Sequence, residues 1–145
     1  MRGHQQLQKV ARWERDKEDA CARQFQLAQQ QVQNEKLKLQ HLEQYKREYL
    51  NQHHLRGSAG VEAKHFSQFH SFIAKLDKAC EQQLQIQNQA VLVAEQRKQQ
   101  WLAQQRKRKA VEMLLQKKAD AEQLLENKRE QAMLDEIALQ KFVRG

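Results

Sequence analysis

Apolar residues recur along the first part of the chain at alternating spacings of four and three residues. One such series has seven apolar members among nine positions: Cys21, Phe25, Ala28, Val32, Glu35, Leu39, Leu42, Lys46 and Tyr49. This spacing aligns side chains along one face of an α-helix and is typical of the seam of a coiled coil. Continued backwards to Leu7, the same spacing meets Glu14 and Glu18, so the seam becomes more polar. The pattern predicts a first helix over about residues 4–55.

A second apolar stripe begins after the middle of the chain, at Phe66, Phe69, Ile73, Leu76 and Cys80. Its continuation includes polar members: Leu84, Gln87, Val91, Ala94, Lys98 and Trp101. Denser apolar spacing returns between Val111 and Phe142. We therefore expect a second helix over about residues 61–142, longer than the first.

Two glycines separate the predicted helices. The chain has no proline, and Gly57 and Gly60 are its only glycines away from the two ends. Glycine weakens helix interiors and often closes helix C-termini, whereas serine caps helix N-termini. We therefore expect a turn over residues 56–60, with Gly57 ending the first helix and Ser58 capping the second. The predicted fold is all-α, an antiparallel two-helix coiled-coil hairpin with a longer second helix, in a single elongated unit over residues 1–145.

The position of the turn determines which residues face each other. If the chain reverses between Gly57 and Gly60, the numbers of facing residues add up to about 117. The helix beyond about residue 114 then has no partner within the chain. An amphipathic helix without a packing partner favours binding to another protein. Cys21 and Cys80 lie about 24 Å apart in level in such a hairpin, so both are predicted to be free thiols.

Composition favours long helices over a globular core. Apolar residues make up 39% of the chain and charged residues 30%, while glutamine alone accounts for 27 of 145 residues. Disorder is the competing interpretation of such a polar chain, but the helical spacing of the apolar residues favours a coiled coil. The longest apolar run, Ala90–Ala94, is far shorter than the roughly 20 residues that span a bilayer. With no signal-peptide pattern at the start, we expect a cytoplasmic protein.

The sequence carries no motif for catalysis or cofactor binding. It has neither a glycine-rich phosphate loop nor a nucleophile elbow, so we expect a non-enzymatic protein without catalytic residues, cofactors or a small-molecule substrate. His53, His54, His65 and His70 gather near the predicted turn. His65 and His70 are five residues apart and therefore lie on different helical faces, so no metal site is predicted.

Positive charge is concentrated in one segment. The formal net charge is +8, and residues 97–118 contribute +7 of it through eight basic residues and a single acid, Glu112. The consecutive residues Arg106–Lys109 point all around a helix rather than along one face. Three interpretations stay open: solvated or acid-paired charge, nucleic-acid binding through phosphates, and contact with an anionic membrane surface.

Apolar residues near the predicted turn exceed what a two-helix seam requires. The excess lies on both helices at spacings of three and four residues: Leu42, Tyr45, Tyr49, Phe72, Leu76 and Ala79. In the predicted register Tyr45 faces Phe72. These residues either thicken the packing beside the turn or form an exposed apolar surface for a partner.

Several segments add a family resemblance to this interpretation: Trp13–Asp16, Tyr45–Leu50, Phe69, Phe72–Asp77, Trp101, Arg106–Glu112 and Asp135–Glu136. Their order and spacing, over nearly the whole chain, resemble the FliJ family of bacterial flagellar export proteins. The resemblance implies an antiparallel coiled coil similar to the central stalk subunit of rotary ATPases. It also implies a non-enzymatic adaptor of the flagellar type III export apparatus, located in the cytoplasm and peripherally associated with the inner membrane at the flagellar basal body.

The resemblance implies three kinds of protein partner. The chain would bind the hexameric export ATPase and promote its assembly, contact the cytoplasmic domain of the membrane export gate, and handle export chaperones. By family analogy the gate surface comprises Leu42, Tyr45, Tyr49, Phe72, Leu76 and Ala79. The family has a polar residue at the position that corresponds to Lys38 in this chain. Candidate contacts to the ATPase are Trp13, Trp101, Arg106, Lys107, Leu125 and Leu139.

Two other functions are alternatives to this adaptor. A nucleic-acid-binding helical hairpin would use the basic segment 97–118, whereas the adaptor is expected to have no nucleic-acid partner. A purely structural coiled coil would associate with copies of itself and form stable oligomers.

Overall fold

The computed structural model describes the backbone of residues 2–57 and 63–145, and the side chains of residues 3–53 and 63–145. Helix α1 spans Arg2–Gly57 and helix α2 spans Ala63–Arg144. The described residues contain no strand, and the two helices pack against each other as a hairpin with a longer second helix. The predicted all-α antiparallel two-helix fold is therefore confirmed.

The ends of the helices differ by a few residues from the predicted bounds. Helix α1 continues through Gly57, beyond the predicted end near residue 55 and into the predicted turn 56–60. Ser58, the predicted cap, and Gly60 lie outside the described residues. Helix α2 continues to Arg144 instead of ending near residue 142.

The chain divides into two compact units. The central unit contains Cys21–Gln100, and the terminal unit combines Met1–Ala20 with Trp101–Gly145. Each unit therefore contains a stretch of α1 and a stretch of α2. That the chain forms a single elongated unit stays a prediction.

In the central unit, the predicted seam of α1 faces α2. All nine positions of the series from Cys21 to Tyr49 are buried or half-buried. On the α2 side Leu76 and Ala94 are buried, and Phe69 and Ile73 are half-buried. The 4-3 spacing thus identified the packing face of this stretch of α1 correctly, including its polar members.

The predicted seam of α2 is wrong at several positions. Gln83 is buried and Ala90 and Arg97 are half-buried, whereas the predicted members Leu84, Val91 and Lys98 are exposed, each one residue further along the chain. The structure keeps the strict alternation of three and four residues from Leu76 through Cys80 to Gln83. The prediction instead took a second step of four residues, from Cys80 to Leu84, and this placed every other later member one residue too far along the chain. Phe66, the predicted start of the stripe, is also exposed.

In the terminal unit, the beginning of α1 packs on the middle of α2. Ala11 is buried and Leu7 is half-buried on α1, and α2 contributes the half-buried Val111 and Leu115. Half-buried positions on α2 continue to Glu122, and every residue from 123 to 145 is exposed. The chain's own packing therefore extends slightly beyond the predicted limit at residue 114.

Few apolar side chains are fully enclosed in either unit. Among the described side chains, the buried apolar residues are Ala11, Leu76 and Ala94. Four polar residues are equally well enclosed: Glu14, Glu35, Gln83 and Gln104. Two packed helices have no third layer to close their core, so long polar side chains cover much of the seam. Cys21 and Cys80 are half-buried free thiols, as predicted.

Candidate partner-binding surfaces

A buried glutamate–glutamine pair crosses the seam of the central unit. Gln83 Nε2 donates to Glu35 Oε2 at 2.5 Å and to the backbone carbonyl oxygen of Glu35 at 3.0 Å. Gln31 Nε2 and Lys38 Nζ also donate to Glu35 Oε1, at 2.7 and 3.4 Å. Hydrogen bonding from Gln83, assisted by the charge of Lys38, lowers the pKa of Glu35. The enclosed carboxylate is therefore satisfied as an anion.

The terminal unit contains a pair of the same construction. Gln104 Nε2 donates to Glu14 Oε2 and, at 3.1 Å, to the backbone carbonyl oxygen of Glu14. Lys17 Nζ lies 3.7 Å from Glu14 Oε1. We call these two pairs, Glu14–Gln104 and Glu35–Gln83, the polar layers. In both layers the residue numbers add up to about 118, close to the register predicted from the turn.

An ionic cluster of Arg15, Glu18, Arg108 and Glu112 joins the helices of the terminal unit. Arg108 Nε donates to Glu18 Oε2 at 2.6 Å and Arg108 Nη1 donates to Glu112 Oε2 at 2.9 Å. Arg15 Nε donates to Glu112 Oε1 at 2.6 Å. Hydrogen bonds from Arg108 lower the pKa of Glu18 and of Glu112, and these carboxylates raise the pKa of Arg108.

The ionic cluster divides the basic run Arg106–Lys109. Arg108 is half-buried and donates hydrogen bonds to two carboxylates. Its neighbours Arg106, Lys107 and Lys109 are exposed. Acid-paired charge is therefore the correct interpretation for Arg108. Sequence alone could not assign its partners, because the long side chain reaches several residues along the opposite helix.

An aromatic cluster of Tyr45, Tyr49, His53, Phe69 and Phe72 joins the helices of the central unit. Tyr49 stacks on Phe69 with ring centroids 5.6 Å apart, and it lies 4.5 Å from Phe72 and 4.1 Å from His53. Tyr45 meets Phe72 edge to face at 6.3 Å. The cluster includes Phe69 and His53, which the predicted gate surface omits.

The residues of the predicted gate surface differ in exposure. Leu76 is 7% exposed, so it belongs to the packing between the helices, whereas Tyr45 is 50% exposed. The remaining residues of that surface are half-buried: Leu42, Tyr49, Phe72 and Ala79. Lys38 is exposed and hydrogen-bonded to Glu35, and Lys46 forms an ion pair with Asp77 beside the cluster. Tyr45 is thus the most accessible residue of the predicted gate surface.

The predicted ATPase contacts all lie in the terminal unit, where most of them are exposed. Trp13 is 59% exposed and carries Lys17 Nζ 3.5 Å from its ring centroid. Trp101 is half-buried, and Arg106 and Lys107 are exposed. Leu125 and Leu139 belong to the C-terminal segment of α2, residues 123–144, which we call the exposed segment.

The exposed segment carries eight large apolar side chains: Leu124, Leu125, Met133, Leu134, Ile137, Leu139, Phe142 and Val143. Phe142 reaches 84% exposure. Side chains of this size and number in contact with water favour association with another protein surface.

A clustered metal-binding group and a membrane-spanning helix are both absent from the described part of the chain. Its His, Cys, Asp and Glu residues form no group of three or more placed to hold a metal ion. Neither helix, over its described residues, combines the length and apolar character needed to span a membrane.

Comparison with known proteins assigns the chain to a family. Residues 3–145 match the family model described as flagellar FliJ protein. No curated protein and no solved structure matches the chain. The match covers essentially the whole sequence, including both helices, both polar layers and the exposed segment. The chain therefore belongs to the FliJ family, whose members are components of flagellar protein export rather than enzymes.

Proposed function

We propose that this chain is an adaptor stalk of the flagellar export apparatus. It binds the hexameric export ATPase and stimulates its assembly, contacts the cytoplasmic domain of the export gate, and binds export chaperones. It works in the cytoplasm, peripherally associated with the inner membrane at the flagellar basal body. The observation that carries the proposal is the exposed segment, where eight large apolar side chains are in contact with water.

The exposed segment supplies the proposed contact to the ATPase. A helix with exposed apolar side chains gains free energy when a partner removes them from water, by roughly 25 cal/mol for each Å² buried. Leu125 and Leu139 belong to this segment and are 52% and 63% exposed. The exposed cations Arg106 and Lys107 precede it on the same helix and can pair with acidic groups of the ring.

The aromatic cluster supplies the proposed contact to the export gate. Tyr45 offers an accessible aromatic ring, and Phe72 supports it from the other helix. Aromatic residues backed by rigid packing are frequent anchors in protein interfaces. Since Leu76 is enclosed between the helices, it contributes to this surface through the packing of the two helices rather than by touching the gate.

Nucleic-acid binding is less well supported than the adaptor function. Phosphate contacts depend on free cationic side chains. Arg108, at the centre of the basic segment, is committed to Glu18 and Glu112. The remaining cations of the segment are spread over several faces of α2.

The proposed function is tested by measuring turnover and ring formation of the export ATPase with the full chain added. We expect the wild-type chain to raise both, and the double variant Leu125→Ser/Leu139→Ser to lose most of this stimulation. Leu84→Ser/Leu92→Ser is the matched control, because it makes the same change at two exposed positions of the central unit. A wild-type chain that leaves turnover and assembly unchanged would show that the proposal is wrong.

A further inference from the structure

The two polar layers repeat one arrangement in two places. In each layer a glutamine of α2 donates from Nε2 both to the carboxylate and to the backbone carbonyl oxygen of a glutamate on α1. Glu14 and Glu35 are 21 residues apart, and so are Gln83 and Gln104. This separation equals three heptads, the repeat of a coiled-coil seam. The numbers of the paired residues therefore add up to the same value in both layers, so α1 and α2 pair in the same register within each unit.

The apolar part of the seam does not define this register strongly. Most apolar seam residues are small or medium in size and recur every three or four positions, for example Ala28, Val32 and Leu39 on α1. A displacement of one helix by seven residues returns apolar side chains to apolar positions. Outside the aromatic cluster, packing alone therefore distinguishes poorly between the native register and its neighbours.

A polar layer does distinguish them. If α1 moved by one heptad along α2, Glu35 would face Ala90 or Leu76, depending on the direction. In the terminal unit, the displacement that brings Glu35 to Ala90 would place Glu14 opposite Val111. The displacement in the other direction would place Gln104 opposite Leu7. Each displacement encloses a carboxylate or an amide without its partner, and an enclosed unpaired charge costs more free energy than the pair contributes.

We infer that the two polar layers select the register in which the helices pair. The selected register also brings together groups outside the layers, namely Tyr45 with Phe72 and Lys46 with Asp77. Surfaces composed of side chains from both helices thus depend on the layers, although no layer residue belongs to them. This inference holds whether or not the proposed partners bind there.

The test moves the glutamines by one heptad and asks whether the helices follow. In a Cys21→Ala/Cys80→Ala background, the variant carries Gln83→Ala, Ala90→Gln, Gln104→Val and Val111→Gln. Composition is unchanged, since each glutamine exchanges places with the residue seven positions later. Spin labels at the exposed positions Gln40 and Lys78 report on the central unit, and labels at Arg12 and Arg106 report on the terminal unit.

We expect one narrow distance for each label pair in the unmodified background. In the exchanged variant we expect a second population in which the helices are displaced by about 10 Å, the length of seven helical residues. Glu14→Gln/Glu35→Gln is the control, because both side chains can still accept from Gln83 and Gln104, and it should keep the native distances. A helical, monomeric exchanged variant with native distances only would overturn the inference, since features other than the two layers would then set the register.

A second variant covers the case in which the exchanged chain does not fold. It replaces all four layer residues by leucine: Glu14→Leu, Glu35→Leu, Gln83→Leu and Gln104→Leu. Apolar replacement of enclosed polar pairs usually preserves folding. We expect broad or multiple label distances in a helical protein, whereas distances as narrow as in the background would contradict a selecting role for the layers.

Discussion

The aromatic cluster of the central unit and the ionic cluster of the terminal unit hold the same two helices together by different means. In the first, Tyr49 packs between Phe69 and Phe72, while in the second Arg108 bridges Glu18 and Glu112. Aromatic contacts depend mainly on shape and removal from water, and are little affected by salt. Ionic contacts depend on charge state and are screened. The contacts between the two helices can therefore respond differently to solution conditions in the two units.

The largest expected effect comes from removing apolar packing in the central unit. Leu76 is 7% exposed and is the best enclosed large apolar side chain among those described. We expect Leu76→Ala to lower the free energy of unfolding by about 2–3 kcal/mol, within the usual range for buried leucine. Urea denaturation followed by circular dichroism measures the loss.

Hydrogen exchange of the same variant tests whether the two units open separately. Amide exchange in residues 69–80 should accelerate more than in residues 101–112, since the lost contacts belong to the central unit. Leu84→Ala serves as the control, because Leu84 is 45% exposed and should cost less than half as much. Equal acceleration in both segments would show that the two units open as one.

A smaller effect is expected from the ionic cluster. Arg108→Ala leaves Glu18 without its bidentate partner and Glu112 with Arg15 alone. We expect a lower melting temperature and faster amide exchange in residues 101–112, because partly enclosed carboxylates lose their counter-charge. Differential scanning calorimetry and exchange measurements check the two effects.

Arg106→Ala is the matched control for this change. Arg106 lies two residues earlier on the same helix and is exposed. Its removal should therefore change the melting temperature little. If Arg108→Ala behaves like Arg106→Ala, the ionic cluster contributes no stability and the contrast between the two units fails.

How far the sequence could predict this molecule differs between the two helices. On α1 the 4-3 spacing named nine positions from Cys21 to Tyr49, and all nine are buried or half-buried, including the polar Glu35 and Lys46. The strict alternation selected Lys46 although the aromatic Tyr45 stands directly before it, and Tyr45 is the exposed residue of the two. On α2 the apolar residues Leu84 and Val91 stand directly after Gln83 and Ala90, so hydrophobicity and heptad spacing pointed to different residues. The hydrogen bonds that Gln83 donates to Glu35 place Gln83 in the seam, as the heptad spacing requires. Such a pairing becomes predictable only once the register is known.

The candidate surfaces were predictable to different degrees for a similar reason. The exposed segment follows from the unequal lengths of the predicted helices, which depend only on where the chain reverses. The exposure of Tyr45 and the enclosure of Leu76 depend on how each helix is rotated about its own axis. Neighbouring residues differ in direction by about 100°, so a small error in that rotation exchanges an exposed residue for an enclosed one. The partners of Arg108 depend on the reach of a long side chain, which spacing along the sequence does not encode.

Mild acidification is expected to produce the smallest effect and to separate the two units further. The folded-state pKa values of Glu18 and Glu112 are lowered, mainly by hydrogen bonds from Arg108. A carboxyl whose pKa is lower in the folded than in the unfolded chain stabilises the fold above the unfolded value, here near 4.5. That stabilisation is lost as the pH falls from about 5 through the folded pKa values.

The terminal unit should therefore lose more protection than the central unit when the pH falls from 7 to about 3.5. In the central unit the pKa of Glu35 is lowered, whereas in the terminal unit the pKa values of both Glu18 and Glu112 are lowered. Amide exchange, corrected for the intrinsic effect of pH on exchange, compares residues 101–112 with residues 69–80. In Arg108→Ala the excess loss should shrink, because the hydrogen bonds that contribute most to lowering both pKa values are gone. An excess loss that persists unchanged in that variant would assign the acid response to groups outside the ionic cluster.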